Sequence, residues 1–377
     1  CTVLEANDVG WGASGRNGGM AVLRYKKSWS ALASELGRER TRHLYRILHQ
    51  AIDLLEQTVS ELGIDCGFAR YGHITAAYGK SALAALEKDV QWLKGEAGDR
   101  APRMLDARET AELTGTSCYL GGYFDSRAGA IHPLNYVRGL ATAVSGAGVP
   151  IYVDTVVSKL TEEADRVVLE TPGGVVRAKQ ALIATNAYTD LVHYGTDLGT
   201  RIVPVSSSII TTVPLPESAL RDILRERHVV SDTRHLLNYF RLAPGNRLLY
   251  GGRGSLTGPE SDSAYRALER KMQQTFPMLE GVAIDHRWSG KVAVTRDEFP
   301  HVGRTGPRVA YAMGYGGRGV VLTNLLGKFL AQFATGDLVD PGAMNGSAFR
   351  PIPLQALRVP AMRAVAGYYR VLDALRL

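Results

Sequence analysis

A short apolar run ending in a carboxylate, Val3-Leu4-Glu5, leads into Gly10-Trp11-Gly12-Ala13-Ser14-Gly15-Arg16-Asn17-Gly18-Gly19, five glycines in ten residues. Few folds want that order. A carboxylate at a strand end can take both hydroxyls of a ribose, and the glycines let backbone N–H groups approach a pyrophosphate or a flat ring system. The pattern belongs just after the second strand of a dinucleotide site. No strand–GxGxxG–helix unit lies between Cys1 and this run. The chain therefore reads as starting inside a nucleotide-binding unit whose first strand and helix lie upstream of it.

With 377 residues, 45% hydrophobic and 21% charged, the composition is that of an ordinary globular protein of two domains or one large interrupted domain. The net charge of +7 is spread along the chain without a run of five Lys or Arg, so nucleic acid is not an expected partner. Cys1, Cys66 and Cys118 are odd in number and far apart. They make neither a metal-spaced set nor a disulfide framework, so no metal is expected and a reducing, cytoplasmic setting is. No apolar run approaches the roughly 18 residues of a membrane-spanning helix, and no integral membrane segment is expected.

Apolar residues at Leu44, Ile47, Leu48, Ala51, Leu54, Leu55, Val59 and Leu62 predict one long helix from about Glu35 to Leu62. Residues 68–78 read as a strand with Tyr71, His73 and Thr75 on one face. Helices follow over 81–96 and 133–146, the latter entered through His132-Pro133 as a cap, with a turn-rich segment 121–129 between them. Short strands are expected over 151–153, 156–160, 167–171 and 175–176, and 181–184 reads as a buried parallel strand ending at Thr185-Asn186. Residues 201–213 and 236–252 are β-rich, the second a hairpin about Pro244-Gly245-Asn246. Helices over 264–276 and 320–335, a strand over 309–313 and a basic amphipathic helix from about Pro360 to Leu377 complete the reading. No internal repeat or low-complexity segment is present. The interrupted order of strands and helices suits two domains woven together.

A second glycine cluster, Gly314-Tyr315-Gly316-Gly317-Arg318-Gly319, matches GxGxxG between a strand and a helix. Too little chain follows for it to open a dinucleotide fold. Backbone N–H groups at a helix start offer partial positive charge to an electron-rich group such as the N1/C2=O edge of a reduced flavin. A tight strand-to-helix turn without a ligand is the alternative.

Taken in order, these motifs resemble the FAD-dependent amine and amino-acid oxidoreductase family that includes D-amino acid, glycine and sarcosine oxidases. Val3-Leu4-Glu5 with Gly12 to Gly19 resembles its start, Thr155 to Leu160 its adenine strand and Ala184-Thr185-Asn186-Ala187 its nucleotide-side loop. Trp288-Ser289-Gly290, Asp297, Pro300 and Gly303 resemble the segment leading back to the flavin, and Gly314 to Val320 the closing flavin loop. Ser14 to Gly19, Tyr239-Phe240-Arg241 and Leu248 to Arg253 look most like the γ-glutamylputrescine oxidase branch.

The resemblance implies an α/β protein: a Rossmann-like FAD-binding domain, here without its first βα unit, interwoven with an α+β substrate domain on a mostly antiparallel sheet. The FAD domain is expected over 1–44, 130–200 and 286–350, the substrate domain over 45–129 and 201–285, and a Pro-rich segment and basic helix over 351–377. The resemblance assigns Glu5 to the ribose. It puts Gly12, Ala13, Ser14 and Gly15 near the pyrophosphate and Arg16, Asn17, Gly18 and Gly19 near the phosphates and flavin. Val157 would meet adenine through its backbone and Ala184, Thr185 and Asn186 the nucleotide half, with Trp288 and Gly290 on the way back to the ring. Gly316, Gly317, Arg318, Gly319 and Val320 would line the pyrimidine edge. No Cys lies between Trp288 and Gly303, which implies noncovalent FAD.

The activity implied is oxidation of a C–N bond in a small amine or amino acid. Hydride passes to flavin N5, the imine hydrolyses, and molecular oxygen is reduced to hydrogen peroxide. Tyr239 and Arg241 alternate on a strand and can share a pocket, with Arg241 either clamping a carboxylate or paired at the surface. Arg318, where relatives often carry His, can stabilise reduced flavin or meet an acidic substrate. Lys291 can promote oxygen reduction or be a solvated lysine, and His73 reads as a structural histidine. Two other readings share these motifs. One is a dehydrogenase passing electrons to a quinone or carrier. The other is a truncated relative that no longer holds FAD.

Overall fold

The computed structural model describes residues 1–191, 196–254, 261–354 and 357–376. Its largest element is an eight-stranded sheet. In spatial order the strands are Ile284–Thr295, Ile202–Thr212, Arg247–Arg253, Asn238–Ala243, Val229–Asp232, His73–Ala76, Gly122–Asp125 and Arg103–Leu105. Every neighbouring pair is antiparallel except Val229–Asp232 with His73–Ala76, so the sheet is mostly antiparallel, as expected.

Alternation along the strands gives this sheet two chemically different faces. Ile74, Val230, Phe240, Leu242, Leu248 and Tyr250 pack with Leu268, Met272 and Phe276 of the Asp262–Thr275 helix and its end. His73, Thr75, Ser231, Tyr239 and Arg241 fall on the opposite face, which looks toward the glycine loops.

The nucleotide-side sheets are small. Val3–Leu4 runs parallel to Ile151–Tyr152, and Ala181–Ile183 runs parallel to Val309–Met313, whose other edge takes His301–Arg304 antiparallel. A separate meander, Lys159–Glu162, Val167–Thr171 and Gly174–Ala178, lies between them in the chain. The Gly319–Thr335 helix buries Val321, Leu322, Leu325 and Leu326 against Leu44, Ile47, Leu48, Ala51 and Leu55 of the Arg38–Glu61 helix.

The structure corrects several expectations. The expected long helix runs Arg38–Glu61, starting three residues later because Gly37, at φ +85°, separates it from a short Trp29–Leu36 helix. Only His73–Ala76 of the expected 68–78 strand joins the sheet, since Gly67 and Gly72 bend the chain at φ +58° and +78°. The turn-rich 121–129 segment contains a sheet strand, Gly122–Asp125. Ala181–Ile183 is parallel but not buried throughout: it is bonded along one edge only, and Leu182 is 43% exposed. The expected 156–160 strand starts later, at Lys159, so Val157 precedes the ladder. The Ile284–Thr295 strand pairs with Ile202–Thr212 on the large sheet as far as Thr295. The Pro133–Gly146 helix has the expected bounds, and His132 Nδ1 caps it by accepting from Asn135 N–H (3.2 Å). The terminal helix runs Arg358–Leu375; Leu377, included in the expected span, lies outside the described residues.

Candidate active site

One strand carries both glycine loops. Near its middle, Trp288 Nε1 donates to Arg16 O (2.9 Å), and a Cβ on Gly290 would sit 3.3 Å from Arg16 Cβ. Further along, Ala293 O accepts from Gly316 N–H (3.0 Å), and Gly314 is pressed against Thr295. Three residues of extended chain separate the two anchorages, about 10 Å. Ala13–Arg16 forms a single helical turn at the first, and the Gly319–Thr335 helix starts at the second.

At the second loop Gly316 and Gly317 take φ +56° and +89°, and the Cβ direction of Gly317 meets no atom within 4 Å. No side chain among the described residues caps the helix that follows, so its first-turn N–H groups have no side-chain acceptor. Arg318, its N-cap residue, has its Nε shielded from solvent without a hydrogen-bond partner, and no carboxylate pairs with the guanidinium among the described residues. Burial, with Arg24 nearby, pulls its pKa down to about 10. A half-buried cation with no partner for its shielded Nε, beside a bare helix start, suits a group that carries or acquires negative charge.

His73 lies in the same electrostatic neighbourhood. It is buried, its Nε2 is 2.8 Å from Ser231 Oγ, and burial together with Arg318 and Arg24 holds it well below its ordinary pKa. Arg24 itself pairs with the buried Asp89 at 2.8 Å. Thr75 Oγ1, on the same face, is buried without a partner. Sequence reasoning read His73 as structural, which its Ser231 contact fits. It placed Thr75 on the His73 face but passed over Arg24 and Ser231; Ser231 reaches that face only through the pairing of residues 73–76 with 229–232.

At the nucleotide end Glu5 Oε1 accepts from Asn7 N–H (3.0 Å), and Glu5 O accepts from Thr155 N–H (2.8 Å). That bond brings the Thr155–Val157 segment beside the strand carboxylate. Asn186, at φ +45°, turns its Oδ1 to accept Gly314 N–H (2.9 Å), tying the 184–186 loop to the second glycine loop. The Thr185 hydroxyl is held by Thr189 (2.7 Å). Gly12 faces the Tyr188 ring, which also packs with Trp11 and takes the Lys291 ammonium over its face at 5.5 Å.

Two candidate residues have their side chains engaged with backbone groups. Asn17 is committed to backbone: its Nδ2 donates to Ala13 O and Ser14 O, and its Oδ1 accepts from Gly19 N–H (2.8 Å). Arg241 is 5% exposed and donates to the carbonyls of Gly18 (2.6 Å), Ile131 (3.0 Å) and Leu242 (3.2 Å). It is neither a surface ion pair nor a free carboxylate clamp. Tyr239, two residues earlier, packs between Gly18 and Gly251 with its hydroxyl 3.0 Å from Ser207 Oγ, and burial raises its pKa to about 12.

Residues 1–333 match the DAO family, described as FAD dependent oxidoreductase. This chain belongs to that family. Gamma-glutamylputrescine oxidoreductase of Escherichia coli K12 is 34% identical over 376 residues, covering 99% of this chain and 87% of that protein. Glycine oxidase of Geobacillus kaustophilus is 26% identical over 349 residues, covering 88% and 85%. In structure, glycine oxidase from Geobacillus kaustophilus superposes with a TM-score of 0.77 at 22% identity, covering 93% of this chain and 91% of that one. L-proline dehydrogenase from P. horikoshii gives 0.75 at 18%, covering 90% and 88%. These two likenesses show the fold: a Rossmann-like FAD-binding domain interwoven with an antiparallel-sheet domain.

The family member described here is an FAD-dependent oxidoreductase, and its residues fit the cofactor. The open side of Gly316-Gly317, the uncapped helix start and the orphaned Arg318 Nε leave room and unpaired donors that suit an electron-rich ring edge. Among the described residues no helix is long and apolar enough to cross a membrane, and no group of three or more His, Cys, Asp or Glu can hold a metal ion.

Proposed function

We propose that this chain oxidises a C–N bond of a primary or secondary amine or amino acid carrying a carboxylate, with molecular oxygen as electron acceptor. The observation that carries the reading is Arg318, a half-buried arginine whose shielded Nε has no hydrogen-bond partner and whose guanidinium has no counter-anion among the described residues, at the uncapped start of the Gly319–Thr335 helix. The names of the relatives, a gamma-glutamylputrescine oxidoreductase and a glycine oxidase, support the amine class.

Bound noncovalently, FAD supplies the two-electron acceptor that amino-acid side chains lack. The protein does the rest. Arg318 receives an anionic substrate group or the negative edge of the ring, and either partner removes the cost of leaving it unpaired. Arg318 and Arg24 also make a second cation costly nearby, which favours the unprotonated amine the reaction needs. Neutral His73 with Ser231, and Tyr239 with Ser207, present polar atoms on the sheet face toward the glycine loops. The partition serving this chemistry is 1–44, 130–200 and 286–350 about the cofactor and 45–129 and 201–285 about the substrate, with the Ile284–Thr295 strand shared. The cysteines, free at positions 1, 66 and 118, favour a cytoplasmic setting.

The test is anaerobic mixing of the FAD-loaded protein with a panel of amines, watching the visible flavin band. Bleaching by a carboxylate-bearing amine supports the reading, and a band untouched by every amine sinks it. Oxygen uptake against reduction of an artificial dye then separates oxidase from dehydrogenase. In R318M, KM for the carboxylate-bearing amine should rise tenfold or more while KM for an uncharged amine stays put.

A further inference from the structure

We propose that Arg241 is a positioning residue that fixes the Gly18–Gly19 peptide for the cofactor, acting through the planar shape of its guanidinium rather than through a carboxylate partner. The inference rests on the FAD reading of the glycine loops, and it assigns the Tyr239-Phe240-Arg241 segment a task in holding the cofactor rather than in binding substrate.

The geometry is a closed ring of hydrogen bonds. Arg241 Nε donates to Gly18 O at 2.6 Å, and the N–H of that same peptide, on Gly19, donates to Asn17 Oδ1 at 2.8 Å. Both poles of one peptide unit are therefore held, and its plane cannot rotate without breaking a bond. Gly19 O then accepts from Ile131 N–H at 2.8 Å, and Ile131 O returns to Arg241 Nη2 at 3.0 Å. Asn17 carries the lock back to the Ala13–Arg16 turn through Ala13 O and Ser14 O, both at 3.0 Å.

Three distant stretches of chain meet at this one side chain: the glycine loop, the approach to the Pro133–Gly146 helix, and the large sheet. Space around it is already filled. A Cβ on Gly19 would fall 2.1 Å from Ile131 O and 2.7 Å from Arg241 Nη2, and one on Gly18 would fall 2.8 Å from the Tyr239 ring.

A salt bridge would explain a buried arginine more simply, but among the described residues Arg241 has none. Its acceptors are carbonyls, and burial lowers its pKa to about 10. Keeping a guanidinium so buried without a counter-charge costs folding free energy. Its return is directional: a rigid fork can hold two carbonyls of different segments at fixed angles, whereas an ammonium on a flexible stem cannot. Lysine at this position keeps the charge and loses the fork.

The experiment compares the unaltered protein with R241K and N17A. Each is stripped of flavin and titrated with FAD by flavin fluorescence. Hydrogen exchange of the peptide covering residues 17–22 is followed by mass spectrometry in the stripped form. We expect FAD dissociation constants at least tenfold weaker in both variants, faster exchange over 17–22, and unchanged exchange in the Gly319–Thr335 helix. At saturating FAD, KM for the amine should stay near that of the unaltered protein. FAD affinity and loop exchange unchanged in R241K would overturn the proposal, and so would a KM increase as the sole effect, which would return Arg241 to substrate binding. If R241K does not fold, N17A decides, because Asn17 holds the opposite pole of the same peptide from a surface loop. Failure here leaves the C–N reading standing, since that one falls only if the bound flavin ignores every amine.

Discussion

His73 sets a pH signature at the scale of a single side chain. Burial and the nearby Arg318 and Arg24 hold its imidazole well below the ordinary 6.5. Between the folded and unfolded values only the unfolded chain takes up the proton. The stabilising contribution is therefore complete above pH 6.5 and falls as the pH drops below it, by about 1.4 kcal/mol per unit until the folded imidazole also titrates. H73Q keeps a hydrogen-bonding partner for Ser231 and removes the titration, so its urea midpoint should fall less between pH 7.5 and 5. Equal slopes in the two proteins would mean that the folded imidazole protonates freely. Gly19 offers a second residue-scale test. Its φ of +66° and the 2.1 Å approach of Ile131 O leave no room for a methyl group, so G19A should lose about 2 kcal/mol or more of stability, read as a lower melting temperature, together with FAD retention.

Among the elements, the Arg358–Leu375 helix docks beside His235 and Leu236. The Asp373 carboxylate accepts from the backbone N–H groups of His235 (2.7 Å) and Leu236 (3.0 Å), Tyr369 stacks on the His235 ring, and Ala366 is buried. Val365, Tyr368, Val371 and Leu375 remain exposed. Losing charged hydrogen bonds worth about 1.5–3 kcal/mol each should release the helix in D373A. Trypsin should then cut at Arg363 and Arg370 much faster while the main unfolding transition stays in place; a cleavage rate equal to that of the unaltered chain would show that other contacts hold the helix.

Elements of this kind were legible in the sequence wherever one periodicity ran uninterrupted, as in residues 133–146 and 309–313. They were misjudged where glycine torsions decided, because Gly37, Gly67 and Gly72 turn the chain without disturbing the apolar pattern on either side. The turns at the glycine loops could be read because glycine torsions are set locally. Arg241 and Asn17 could not, because their acceptors lie on Gly18, Ile131 and Gly19, and only the folded chain brings those groups to the side chains.

For the whole molecule the chain's repeated crossing has a thermodynamic outcome. Residues 73–125 and 202–295 build the large sheet, while the helices Arg38–Glu61 and Gly319–Thr335, far apart in sequence, share one apolar core. Neither half can unfold without pulling strands or helices from the other, so tryptophan fluorescence and far-UV circular dichroism should report one coincident transition. FAD at a hundred times its dissociation constant should raise the stability by about 2.7 kcal/mol without splitting that transition. Two separated transitions would mean that the halves fold independently.

The shared Ile284–Thr295 strand also limits how the chain can change in length. Backbone carbonyls of successive strand residues point to opposite edges, so inserting or deleting one residue between Gly290 and Ala293 would turn the carbonyl that accepts Gly316 N–H away from the free edge of this outermost strand. Both loops would still be encoded, yet the second would lose its anchor. The hairpin tip at Pro244-Gly245-Asn246 carries no such constraint, and added residues there would leave every register in the sheet as it is. Length variation should therefore be tolerated at that tip and rejected within a three-residue stretch of one strand.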